Sequence, residues 1–158
     1  RPDMPAEDFL RVIDQSVTPH VDPHKVLIII SGGEPLMRKD LSEVGKALKQ
    51  RGYPWGMVTN GLALTEKRFK ELMQSGLRSM AISFDGMELN HNWLRQHPLA
   101  FEGATRAIKL AAATPSLTWD VRQPTLIPAD RRDAEISVVH RCAQLATDHY
   151  RSDGTCGG

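Results

Sequence analysis

Apolar positions along the chain switch repeatedly between two spacings. Phe9, Leu10, Ile13 and Val17 recur at helical intervals and predict a helix over 6–17, with Glu7 and Asp8 near its positive end. Thr18-Pro19 and Asp22-Pro23 interrupt it. Val26-Leu27-Ile28-Ile29-Ile30 is instead continuous, β-branched and of strand length, and it stops at Ser31-Gly32-Gly33-Glu34-Pro35. A strand apolar throughout implies cover on both faces. The cycle then repeats. Leu41, Val44 and Leu48 mark a helix over 40–51, with Asp40 as its N-cap and Gly52 at its stop. A strand over 55–59 ends in the turn dipeptide Asn60-Gly61. Thr65 caps a helix running to Ser75, with Phe69, Leu72 and Met73 facing inward and Gly76 closing it. A strand over 79–84 ends at Asp85-Gly86. Residues 90–95 read as a polar connection, followed by a helix over 100–113 and a strand over 117–121.

Helices alternating with short buried strands predict βα units and a parallel sheet, an α/β fold. Periodicity alone does not decide whether such a sheet closes into a barrel. After Val121 the rhythm stops. Residues 122–133 carry two prolines, dense charge and no period; 134–146 suit a helix, and 149–158 read as a loose tail. The expected organisation is a core over 1–121 and an atypical tail over 122–158.

Composition narrows the function classes. The chain has 158 residues, 41% of them hydrophobic and 25% charged, which suits a globular domain with a real core. A net charge of +1 argues against nucleic acid as the main partner, since phosphate binding needs a concentrated basic surface. No apolar run approaches the length of a membrane span. Cys142 and Cys156 form neither a disulfide framework nor a metal knuckle, so two thiols in a reducing, cytoplasmic setting are expected. Arg1-Pro2-Asp3-Met4 is neither a signal peptide nor an initiation site, which suggests a fragment.

The chemistry concentrates where strands end. Ser31-Gly32-Gly33-Glu34, Thr59-Asn60-Gly61 and Ser83-Phe84-Asp85-Gly86 close three successive strands with polar, turn-forming residues. In a parallel sheet these ends share one rim, where loops carry function. Paired glycines let backbone polar groups approach a ligand without a side chain between. Each segment by itself also reads as an ordinary turn; three in succession favour a site for a small polar ligand.

Ser31-Gly32-Gly33-Glu34-Pro35-Leu36, followed by Arg38-Lys39-Asp40-Leu41, resembles the Gly-Gly-Glu-Pro segment of radical S-adenosylmethionine (radical SAM) enzymes. Thr59-Asn60-Gly61 resembles their next strand end, and Ser83-Phe84-Asp85-Gly86 with His91 and Leu94-Arg95 the one after. Pro54-Trp55-Gly56-Met57-Val58-Thr59-Asn60-Gly61 and Asn90-His91-Asn92-Trp93 are most similar to a peptide-modifying subgroup, the radical SAM proteins of a lipoprotein-associated system.

The resemblance implies a partial (β/α) barrel with parallel strands and outer helices, truncated here at both ends. It implies S-adenosylmethionine and a [4Fe-4S] cluster as cofactors of the parent protein, a 5′-deoxyadenosyl radical, an electron donor, and a peptide or protein substrate. Carried over by position, Gly32, Gly33 and Glu34 would receive the methionine ammonium, with Ser31 beside them. Ser83 and Arg95 would serve the ribose and the carboxylate, a guanidinium matching a carboxylate with paired donors. Asn60 and Asp85 complete the cofactor-binding set. The structural alternatives are a solvated turn carboxylate for Glu34, a strand-terminal hydroxyl for Ser31, a surface position for Arg95, and loop-ordering roles for Asn60 and Asp85. His91 reads as structural or exposed, and Trp55, Trp93 and Trp119 as core or lid packing.

The chain departs from the family pattern in two places. The three cluster cysteines, spaced Cys-x3-Cys-x2-Cys, belong ahead of the first helix and are absent; Cys142 and Cys156 have the wrong number, spacing and position to replace them. No cluster and no turnover are therefore expected of this chain alone. The tail after Val121 matches nothing in the family, and a shifted reading frame is one account of it. The competing readings are a non-catalytic half-barrel or broken gene product, and an ordinary α/β nucleotide-binding domain. The last lacks both a Gly-x-Gly-x-x-Gly fingerprint and a P-loop.

Overall fold

The computed structural model describes residues 4–122. Four strands, β1 (Ile28–Ile30), β2 (Trp55–Thr59), β3 (Leu77–Ser83) and β4 (Thr118–Arg122), form one parallel sheet in the order β1-β2-β3-β4. Helix α1 (Ala6–Val12) precedes β1, α2 (Leu41–Gln50) joins β1 to β2, and α3 (Glu66–Gln74) joins β2 to β3. Two helices, α4 (Glu88–Arg95) and α5 (Ala100–Ala112), join β3 to β4. Sequential order means that each βα unit lays its strand beside the previous one, which is the connectivity of part of a (β/α) barrel. The expected α/β class and parallel strands hold. The assignments for 123–158, including the helix over 134–146 and the reading-frame idea, lie outside the described residues.

The described residues divide into two compact units, one of residues 4–59 and 63–81, the other of 60–62 and 82–122. In the first, α2 turns Leu41, Val44 and Leu48 inward at the expected helical spacing. Gly45 lies on the same face against the Trp55 ring, where a Cβ would approach the indole to 2.5 Å. The buried Trp55 donates its indole N–H to the Ser75 carbonyl at 3.1 Å, tying β2 to the end of α3. Met57, Leu64, Phe69, Leu72, Leu77 and Met80 complete this core, while Met73 is only half-buried. Register pairs Ile28 with Trp55, Ile29 with Gly56 and Ile30 with Met57.

Helix ends follow the local chemistry, with one correction. Thr65 caps α3 as expected, its hydroxyl accepting from the Arg68 N–H at 3.1 Å. Asp40 occupies the N-cap position of α2 but makes no capping bond, because its carboxylate accepts from Arg38 Nη2 at 2.9 Å. The predicted helix over 6–17 is present, but its second half, Ile13–Val17, widens to a π-helical turn before a 3-10 turn over Thr18–His20. The Thr18 hydroxyl, 3.1 Å from the Ile13 carbonyl and 2.9 Å from the Tyr53 hydroxyl, fastens that turn.

Cover on both faces of the Ile-rich strand does not hold. Ile29 is 44% exposed while Ile28 and Ile30 are half-buried, because alternate side chains of a strand point to opposite faces and the face that carries Ile29 is the more open one.

In the second unit, Ile82, Phe84 and Leu117 are buried together with Ala100, Ala104, Ala107, Ile108 and Ala111 of α5, and the Phe84 ring lies 5.5 Å from that of Phe101. Phe84 donates its N–H to the Arg122 carbonyl at 3.0 Å. The expected polar connection over 90–95 is a helix, α4, closed by Gln96 in the left-handed region at φ 51°. Only one residue of that helix, His91, turns fully inward, so its apolar signal is too thin to announce a helix. Trp93 does not pack as its sequence context suggests; it is 80% exposed. Among the described residues, no helix is long and apolar enough to cross a membrane.

Candidate functional site

In the first unit the chain leaves β1 through Ser31, Gly32 and Gly33, all exposed. Gly32 (φ 91°) and Gly33 (φ 54°) take left-handed backbone conformations that other residues adopt only under strain. A Cβ at either position would meet nothing within 4 Å. The glycines are therefore required by backbone conformation rather than by packing, and the turn faces open space. Glu34 follows and caps the 3-10 turn Pro35–Met37, its Oε1 accepting from the Leu36 N–H at 3.1 Å. The same oxygen accepts from the Thr59 hydroxyl, at the end of β2, at 2.6 Å. Thus the first two strand ends meet through a carboxylate and a hydroxyl. Beside Ser31 lies an open cavity of about 220 Å³, lined mainly by Met4, Phe9, Ile29, Ile30 and Val44. Arg38 also borders it and donates to the Met4 carbonyl at 2.9 Å.

The second unit holds the other expected residues. Asn60 Oδ1 accepts from the Leu62 N–H at 2.9 Å, an Asx turn of the kind the Asn-Gly dipeptide suggests. Ser83 is half-buried at the end of β3. The Asp85 side chain is wholly buried and accepts from both Nε and Nη2 of Arg95, the Nη2–Oδ1 contact being 2.9 Å. Its backbone N–H donates to His91 Nδ1 at 3.0 Å. The loop after β3 is thus held to α4 twice, once through a carboxylate and once through its main chain. Arg95 is a helix-borne partner of Asp85 rather than an isolated surface cation.

His91 Nδ1 accepts a proton-bearing group, so this buried imidazole is neutral, with its own proton on Nε2. Burial pushes its pKa below the ordinary histidine value, and Arg95 pushes the same way. The nearby Asp85 carboxylate and the Ala100 backbone oppose the shift. Between the folded value and about 6.5 the unfolded chain therefore binds the extra proton. The resulting contribution to stability is complete above about pH 6.5 and is lost as pH falls through that window. His91→Asn, which keeps an acceptor near Nδ1 but does not titrate, should flatten the pH dependence. Urea midpoints at pH 7.5 and 5.5 test this: the wild-type loss should exceed the variant's, by at most about 1.4 kcal/mol per pH unit. Equal losses would contradict it.

The site residues expected from sequence fall into two groups, Ser31 to Glu34 in the first unit and Asn60, Ser83, Asp85 and Arg95 in the second. Thr59 contributes beyond the expected set, and its position just before Asn60-Gly61 is the one signal for it in the sequence. His91, which the sequence leaves as structural or exposed, is structural: it is 1% exposed and accepts the Asp85 N–H. Among the described residues, no three His, Cys, Asp or Glu side chains are grouped to hold a metal ion, and both cysteines lie outside that range.

Comparison with known proteins adds an independent observation. The sequence profile of the radical SAM superfamily matches residues 1–120. The Fe-coproporphyrin III synthase of Methanosarcina barkeri (strain Fusaro / DSM 804) is 34% identical over 82 residues, covering 52% of this chain and 21% of that protein. The AdoMet-dependent heme synthase of the same organism is 33% identical over 87 residues, covering 54% of this chain and 25% of the relative. The chain thus spans a quarter or less of the length of these two relatives.

Proposed function

Because this chain belongs to the radical SAM superfamily, we propose that residues 1–121 are the S-adenosylmethionine-binding part of a radical SAM enzyme, with 122–158 a distinct segment. The observation that carries this reading is the open Gly32-Gly33 turn, left-handed at both residues and followed by a carboxylate held at one oxygen by two donors. An ammonium needs acceptors; this turn offers backbone carbonyls without side chains and an oriented Glu34 beside them. Gly32, Gly33 and Glu34 take the methionine amino group, and Ser31 lies next to it. In the second unit, Ser83 serves the ribose. Arg95 serves the carboxylate while keeping Asp85 on Nε and Nη2. Asn60 and Asp85 order the loops that carry these contacts.

Bound next to a [4Fe-4S] cluster, S-adenosylmethionine supplies in this superfamily a 5′-deoxyadenosyl radical that removes a hydrogen atom from substrate. The described residues contain no cysteine, so no step at the cluster is assigned to them. The cluster and its electron donor belong to the parent protein. Two substrate classes are in play. The lipoprotein-associated subgroup likeness favours a peptide or protein; the names of the two relatives favour a porphyrin.

Calorimetric titration of the full-length protein with S-adenosylmethionine tests the binding reading. Gly33→Val should raise Kd at least tenfold, since a β-branched residue is strained at this φ. Failure of the wild type to bind, or equal affinity in the variant, overturns the proposal. Release of 5′-deoxyadenosine on adding a porphyrin or a peptide, read by mass spectrometry, separates the two substrate classes.

A further inference from the structure

We propose that Thr59 is a positioning residue that sets the direction of the Glu34 carboxylate toward the bound ammonium, an inference that rests on the S-adenosylmethionine reading above. The Gly32-Gly33 turn cannot aim Glu34, because it has no side chains and faces open space. The aim comes from β2. Thr59 is 1% exposed, so strand packing fixes its β-branched side chain in one rotamer. Its hydroxyl donates to Glu34 Oε1 at 2.6 Å, within the range of a charge-assisted O–H···O⁻ bond. The Leu36 N–H donates to the same oxygen at 3.1 Å. Two donors arriving at one oxygen from different elements fix the plane of the carboxylate and hence the direction of its second oxygen. Without the Thr59 bond, the group would gain rotational freedom and lose it again when ligand binds, at a cost in affinity.

The test is a double-mutant cycle on the full-length protein, with S-adenosylmethionine as the probe in calorimetric titration. Thr59→Val should raise Kd about tenfold, and Thr59→Ser, which retains the hydroxyl, should restore affinity to within about twofold of wild type. In a Glu34→Ala background, Thr59→Val should change Kd by less than about twofold, because the group it positions is gone. A tenfold effect in both backgrounds, or no effect in the wild-type background, overturns the inference. Thr59→Ala replaces the valine variant should that one not fold.

A second measurement needs no ligand. Amide hydrogen exchange at Leu36 should be several-fold faster in Thr59→Val than in wild type or Thr59→Ser, because a loosened carboxylate caps that N–H less persistently. Unchanged exchange overturns the positioning role. If wild type binds no S-adenosylmethionine, the proposed function falls, and the exchange measurement still decides whether Thr59 orients Glu34.

Discussion

Replacing Arg95 by methionine is expected to destabilise the protein by roughly 3 kcal/mol, as the lower end of what removing one partner of a buried ion pair costs. The asymmetry of burial sets the size. The Asp85 carboxylate is wholly buried, whereas the Arg95 side chain is about one-third exposed at 33%. Methionine keeps much of the stem volume but removes both donors, leaving a buried anion beside the unprotonated Nδ1 of His91, 3.5 Å from Oδ2 and unable to donate to it. Asp85→Asn is the informative contrast. It removes the charge from the buried side and leaves the cation where water can reach it, so it should cost less, about 1–2 kcal/mol. Urea midpoints of the two variants check the order. A smaller loss for Arg95→Met than for Asp85→Asn would show that the pair does not hold α4 to the β3 end in the manner described.

The second large effect has a sign opposite to what helix propensity suggests. Gly45 lies inside α2, and alanine there should by propensity stabilise by about 1 kcal/mol. The added methyl, however, would stand 2.5 and 2.7 Å from two Trp55 ring atoms and 2.8 Å from Ser75 Oγ. The indole cannot move aside freely: it is fully buried and bonded to the Ser75 carbonyl. Overpacking at such a site costs roughly 3 kcal/mol, so a net loss of about 2 kcal/mol is expected from Gly45→Ala. Combining it with Trp55→Phe, which removes the atoms met by the new methyl, should recover part of that loss relative to Trp55→Phe alone. Thermal or urea denaturation of the four proteins measures the coupling. Additive effects would mean that the methyl is accommodated elsewhere.

Much of this architecture was legible because the elements are strongly patterned. Leu41, Val44 and Leu48 face inward as spacing requires, and Thr65 caps α3. The strands at 55–59 and 118–122 lie where apolar runs and turn dipeptides put them, to within a residue. The failures share a cause. Asp40 stands at a helix start with a good capping side chain, yet Arg38 claims it. Residues 90–95 look polar because α4 turns one histidine inward and leaves Leu89 and Trp93 outside. In each case a specific side-chain pairing decides the outcome, the Arg38 guanidinium for Asp40 and the Asp85 main chain for His91, and residue propensity carries no information about such pairings.

The candidate site divides in the same way. Gly32-Gly33-Glu34 reads as a candidate site because glycine pairs, a following acid and a fixed proline are local backbone chemistry, and local chemistry is written in consecutive residues. The family follows from the order of such segments along 1–120. What consecutive residues do not carry is direction. That Thr59 bonds Glu34 across 25 positions, that Arg95 reaches Asp85, and that His91 turns inward to accept a main-chain N–H are products of register and packing. Residue identity along the chain is enough to show which side chains could bind a cation or an anion. Which of them already hold one another is a matter of the fold, because a side chain's partner is set by the strands and helices that bring it there.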